Sequence, residues 1–131
     1  MTTEQLCTQY LDALNAGKLD QVLSLFAADG VIVSPLYGTM AVDAFYRDLF
    51  ADTKRSVTTL LNIFDKAENA TSVALHFRYD WTLKSGKMVE FECVDVFELT
   101  PDRSKFAKLT IIYDTAPLRG DFNESHAQRV G

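Results

Sequence analysis

Along the first half of the chain apolar residues recur at spacings of three and four, and along the second half they alternate with polar ones. Leu6, Tyr10, Ala13 and Leu14, with Cys7 and Leu11 beside them, mark one face of a helix that Gly17 is placed to end with a left-handed cap. The run from Lys18 to Ala28 carries Leu19, Val22, Leu23, Leu25 and Phe26 and predicts a second helix. An Asp29-Gly30 turn and a short strand, Val31-Ile32-Val33, follow it, and Pro35 stops that strand. Val42, Phe45, Tyr46, Leu49 and Phe50 predict a third helix over 41–51. From Val57 onward β-branched and aromatic residues dominate. Turns at Glu68-Asn69-Ala70, Lys84-Ser85-Gly86-Lys87 and Thr100-Pro101-Asp102-Arg103-Ser104 divide that half into four strands, a meander.

Period-two alternation assigns faces to those strands. In Val73 to Leu83 the odd positions are apolar, so Leu75, Phe77, Tyr79 and Trp81 share a face, while His76, Arg78 and Asp80 lie on the other. The same parity groups Phe91, Cys93, Asp95, Phe97 and Leu99. Asp95 is either a solvated outer-face acid or a carboxyl held in an apolar interior. Parity puts it with the aromatics, although Val94 and Val96 are apolar too and a bulge would reverse the facing. In the interior, desolvation would favour its neutral form. The aromatics on this face read as core or as a ligand shelf.

The chain has 131 residues, 47% of them hydrophobic, enough for one domain with a real core, here taken as 1–118. Residues 119–131 lose periodicity and read as a C-terminal tail. A formal net charge of −5 with scattered Lys and Arg argues against nucleic acid or an anionic membrane as a partner. No stretch has the roughly 18 apolar residues of a membrane span and the first residues lack a secretory pattern, so a soluble cytoplasmic protein is expected. Cys7 and Cys93 are isolated from each other and from His76 and His126, which leaves no metal or redox motif. No phosphate-binding glycine loop or other cofactor motif stands out, so no cofactor is expected.

Helices followed by an antiparallel meander, with Tyr-Leu-Asp-Ala-Leu-Asn-Ala-Gly-Lys-Leu-Asp at 10–20 and Leu-Phe-Ala-Ala-Asp-Gly at 25–30, resemble the nuclear transport factor 2-like superfamily, in its SnoaL-like and ketosteroid isomerase-like branch. The resemblance covers about Glu4 to Asp114. It implies an α+β fold: three N-terminal helices packed in a curved, mainly antiparallel sheet, a cystatin-like cone around a pocket. It also implies roles. Tyr10 falls where ketosteroid isomerases carry their helix-borne oxyanion tyrosine, and Asp95 where they carry a protonated aspartic acid. Their general-base aspartate, just before a proline, is Ser34 in this chain, and a serine cannot take a proton from carbon without another base. Asp114 lies near where some SnoaL-like cyclases are said to place an acid or base, though a strand-end aspartate also serves as a turn cap.

Two functions follow. The first is binding of a small hydrophobic molecule in an apolar pocket, with Tyr10, Asp95 and Asp114 as catalytic candidates and Ser34, Phe77, Tyr79, Trp81 and Phe97 as ligand-binding ones. The reaction would be isomerisation, cyclisation or dehydration of a carbonyl compound. The second is a non-catalytic association module, a homodimer formed through Val94, Val96 and their outer-face neighbours.

Overall fold

A computed structural model describes residues 1–65 and 70–131. Helix α1, Thr3–Ala16, starts where the Thr2 hydroxyl accepts from the Gln5 amide and the Gln5 side chain accepts from the Thr2 amide, a reciprocal cap. It ends at Gly17, whose φ of 65° is the left-handed turn that a glycine adopts without strain. Its buried stripe is the one the spacing predicts: Leu6, Cys7, Tyr10, Leu11, Ala13 and Leu14.

The second helix is shorter than expected. Helix α2 spans only Leu19–Leu23, and strand β1 already begins at Phe26 and runs to Ser34. Asp29 and Gly30 therefore lie inside β1, where the register shifts between Phe26 and Val31, and they do not form a separate turn. Apolar Leu25 and Phe26 fit a helix stripe and a buried strand equally well. Tertiary contacts decide, since Phe26 packs against Tyr10, Tyr46 and Phe106. Strand β2, Gly38–Ala41, pairs back on β1, and helix α3, Val42–Ala51, comes as expected.

The meander follows as β3, Thr53–Asp65; β4, Ser72–Leu83; β5, Met88–Leu99; and β6, Phe106–Ile112. The first of the three expected turns falls largely outside the described residues, and the other two are present. The six strands form one curved, unclosed sheet in the order β2-β1-β6-β5-β4-β3, antiparallel except where β1 runs parallel to β6. The α+β cone, mainly antiparallel and packed around helices, is thus the architecture observed. Its interior holds α1, α3 and the inward faces of the strands. Strand β4 alternates as parity predicts, with Val73, Leu75, Phe77, Tyr79, Trp81 and Leu83 buried.

Residues 119–131 depart from the expected tail. Arg119–Val130 form helix α4, with Phe122 and Ser125 buried. The helix is fastened by polar contacts: Arg129 Nε donates to Asp52 Oδ1 at 2.5 Å, His126 Nδ1 lies 2.9 Å from Asp52 Oδ2, and Ser125 Oγ accepts from the Ser85 amide. Among the described residues no helix is long and apolar enough to cross a membrane.

Candidate functional site

Where the cone opens beside β4, β5 and β6, the structure leaves a cavity of about 40 Å³. That is room for about three water molecules, far below the roughly 300 Å³ at which drug-sized pockets begin. Aromatic rings make most of its wall. Tyr79 on β4 stands opposite Phe91 on β5, with ring centroids 5.3 Å apart, and Phe91 stacks at 4.1 Å on Tyr113, just beyond β6. Phe77, Trp81, Tyr37 and Phe45 complete much of the remainder. Asp95 is the one charged side chain among the described lining residues.

Asp95 is 1% exposed, which settles the parity question in favour of the interior. Its Oδ1 accepts from the Cys93 thiol at 3.1 Å, and Oδ2 has no hydrogen-bond partner among the described residues. Burial pushes the carboxyl up from 3.8 to about 7, against a smaller lowering effect of the Cys93 hydrogen bond. Near neutrality this group therefore exchanges a proton readily, the condition for a general acid or base. The same burial, with the Asp95 carboxyl nearby and accepting the thiol's hydrogen bond, drives the Cys93 thiol far above its usual range, so it stays protonated.

Tyr10 also lines the cavity, but its hydroxyl is bonded to Tyr46, 2.7 Å away, and not to Asp95. Burial first, reinforced by Asp95 and Tyr79 nearby, holds both phenols well above the ordinary range, against a lowering effect of the mutual hydrogen bond on Tyr46, so both are neutral. One of the two protons is spent on their mutual bond and one remains to be donated. Tyr79 has a similar companion in Ser56, with 2.6 Å between hydroxyls.

Ser34 lines the cavity as well, and its Oγ accepts from the Leu36 and Tyr37 amides, each at 3.2 Å. It thereby folds the turn that carries Leu36 and Tyr37 to the wall. Among the predicted residues the structure therefore brings Tyr10, Ser34, Phe77, Tyr79, Trp81 and Asp95 to one space. It does not bring Phe97 or Asp114 there. Phe97 is stacked on Phe106 at 3.9 Å, deeper in the core, and Asp114 is exposed with its carboxylate accepting from the Ala116 amide as a turn cap. Tyr113, its neighbour, lines the cavity instead. Sequence reasoning missed Tyr113, Phe91 as a wall residue, and Tyr37. Alternation through Leu109 and Ile111 would have pointed Tyr113 inward, whereas no periodicity reaches Tyr37 in its turn.

Outside the cavity, His76 bonds Asn62 and Glu92, and Arg78 bonds Asp80 and Glu90, all on the outer sheet face. Among the described residues no three His, Cys, Asp or Glu side chains group to hold a metal ion.

This helix-filled cone agrees with the comparisons. The model of the SnoaL-like domain family matches residues 7–106. The chain belongs to the SnoaL-like domain family. Solved structures of SnoaL-like and related proteins share the fold at low identity. PrhC of Penicillium brasilianum NBRC 6234 is similar with a TM-score of 0.77 and 14% identity, covering 97% of this chain and 89% of its own. A protein with a ketosteroid isomerase-like fold from Catenulispora acidiphila DSM 44928, crystallised with trimethylamine, gives 0.73 and 17%, covering 86% and 88%. A SnoaL-like protein of unknown function from Burkholderia thailandensis E264 gives 0.66 and 23%, covering 85% and 92%. No curated protein matches the chain.

Proposed function

We propose that this SnoaL-like protein binds a small, largely apolar carbonyl compound in the aromatic cavity and moves a proton at it through Asp95, as an isomerase, cyclase or dehydratase does. The observation that carries the reading is Asp95 itself: a buried acid, alone in charge among the described lining residues, with one oxygen unpartnered and a pKa of about 7. A folded protein keeps a desolvated carboxyl at a cost, and such groups concentrate at sites of chemistry. Either hydroxyl can donate in the Tyr10–Tyr46 bond; with Tyr46 as donor, the Tyr10 proton turns to the ligand's oxygen, where it stabilises developing negative charge. Serine at position 34 supplies no carboxylate, so Asp95 both gives and takes the proton. The two unpaired, buried thiols are compatible with a reducing, cytoplasmic setting.

Titration of wild type, Asp95→Asn and Tyr10→Phe with cyclohexanone and with phenol across pH tests this. The expected result is binding that depends on a group titrating near pH 7, and that weakens about tenfold in each variant. Equal binding by wild type and Asp95→Asn at every pH would remove Asp95 from the site.

A second surface supports self-association. On the outer face Phe64, Ala74 and Val96 lie side by side across β3, β4 and β5, next to the row His76, Val94 and Ile112. Phe64 and Ile112 are 57% and 54% exposed. We infer a homodimer through this face, and Ile112→Lys should shift the molecular mass seen by light scattering from dimer to monomer. A wild type that is already monomeric would end that inference.

A further inference from the structure

The junction of α3 and β3 carries two consecutive residues whose side chains each hold a ring of the cavity wall. Asp52, 1% exposed, accepts from the Tyr37 hydroxyl at 2.5 Å. Thr53 accepts from the Trp81 indole at 2.8 Å and donates in turn to the Leu49 carbonyl. Tyr37 and Trp81 both line the cavity. Helix α4 closes over the same junction from outside. Arg129 and His126 bond the two oxygens of Asp52, and the Phe122 ring lies 5.2 Å from Tyr37 and 5.8 Å from Trp81. Although burial opposes the charge on Asp52, hydrogen bonds from Tyr37, Arg129 and His126 hold its carboxyl below the ordinary range. The carboxylate is thus a hub joining one wall ring to a helix whose attachment consists of Phe122 and a few polar contacts. Polar α4, with few buried residues, belongs to the class of elements that open locally before the fold does.

We propose that Asp52 is a positioning residue which, by clamping Tyr37 and α4 together, sets the width of the cavity and so the size of ligand it admits. The inference rests on the reading of the cavity as the ligand site. With α4 docked, Tyr37 and Trp81 are braced inward and about 40 Å³ is left. When α4 lifts, the Phe122 ring leaves and Tyr37 loses the partner that fixes its hydroxyl. The wall then yields outward, and a bulkier ring system fits. Entry of any ring-sized ligand uses this movement.

The chain contains one tryptophan, so Trp81 reports the state of the wall directly. Acrylamide quenching of its fluorescence and calorimetric titration with cyclohexanone and with two-ring decalone would be compared in wild type, Asp52→Asn, Arg129→Gln and Tyr37→Phe. The clamp predicts faster quenching in every variant and a shift of about tenfold in the ratio of the two dissociation constants toward decalone, the size of one lost hydrogen bond to a charged group. A merely structural role would weaken both ligands in parallel and leave the ratio unchanged. If Asp52→Asn fails to fold, Tyr37→Phe, which deletes a single hydroxyl, carries the test. Wild-type binding of cyclohexanone, with quenching and size ratio unmoved in the variants, overturns the clamp and leaves the pocket reading standing. No binding of either ketone by any of the four proteins overturns the pocket reading and the clamp with it.

Discussion

Replacing Asp95 with asparagine should stabilise the folded protein at neutral and alkaline pH, by an amount that grows with pH up to about 7 and then stays constant. The folded state holds the Asp95 proton to about pH 7, because burial disfavours the charge, whereas the unfolded chain releases it near 3.8. Between those values the folded state binds the extra proton, so stability falls as pH increases. Each pH unit in that window costs about 1.4 kcal/mol, and the loss levels off above the folded value at about 4 kcal/mol. That is a large part of the ~5–15 kcal/mol that typically separates folded from unfolded domains. Asparagine keeps the shape and an oxygen to accept from Cys93, but it has no charge to bury.

Urea unfolding of both proteins at intervals from pH 4 to 9 isolates the effect, because every other titrating group cancels in the difference. The two should agree within about 1 kcal/mol near pH 4, where the carboxyl is protonated in the fold, and separate by up to about 4 kcal/mol by pH 8. Parallel curves, or an asparagine variant less stable throughout, would mean that the carboxylate is solvated in the folded protein. The acid could then no longer be argued to be held for its chemistry at the expense of stability.

Two further outcomes follow from the interior. Tyr10→Phe leaves the Tyr46 hydroxyl buried without its 2.7 Å partner and should cost about 1–3 kcal/mol, while the double variant with Tyr46→Phe should cost less than the sum of the single changes; strict additivity in urea midpoints would contradict a mutual bond. Burial, reinforced by nearby acids, pushes the Cys7 thiol up to about 12 and the Cys93 thiol higher still. At pH 8 a chromogenic disulfide reagent should therefore label neither thiol until urea is added, and rapid labelling of the native protein would contradict the packing around both.

Periodicity reads direction, and that is why it succeeded at α1, α3 and the faces of β4 and β5. It reads neither depth nor partners distant in sequence. Helix α4 has one buried apolar residue, Phe122, and so no stripe to detect; what holds it is Asp52, 74 and 77 positions before His126 and Arg129. The depth problem is sharper at the site. On β5, Phe91, Cys93, Asp95, Phe97 and Leu99 all follow one parity, yet the first three line the cavity and the last two do not. On the neighbouring strand Phe77, Tyr79 and Trp81 line it, while Leu75, directly opposite Asp95, is sealed in the core. Asp95 is thus the last residue along β5 before the close-packed layer of Phe97, Phe106 and Tyr10 begins. Two position pairs further toward the open end, at Phe91, the strand is half-buried; Cys93 between them is buried and lines the cavity, and one pair further in, at Phe97, the strand is beyond it. Only Cys93 and Asp95 on β5 are both buried and open to the cavity, and Asp95 is the carboxyl of the two, so its place along the strand, and not its facing alone, makes it the residue to test.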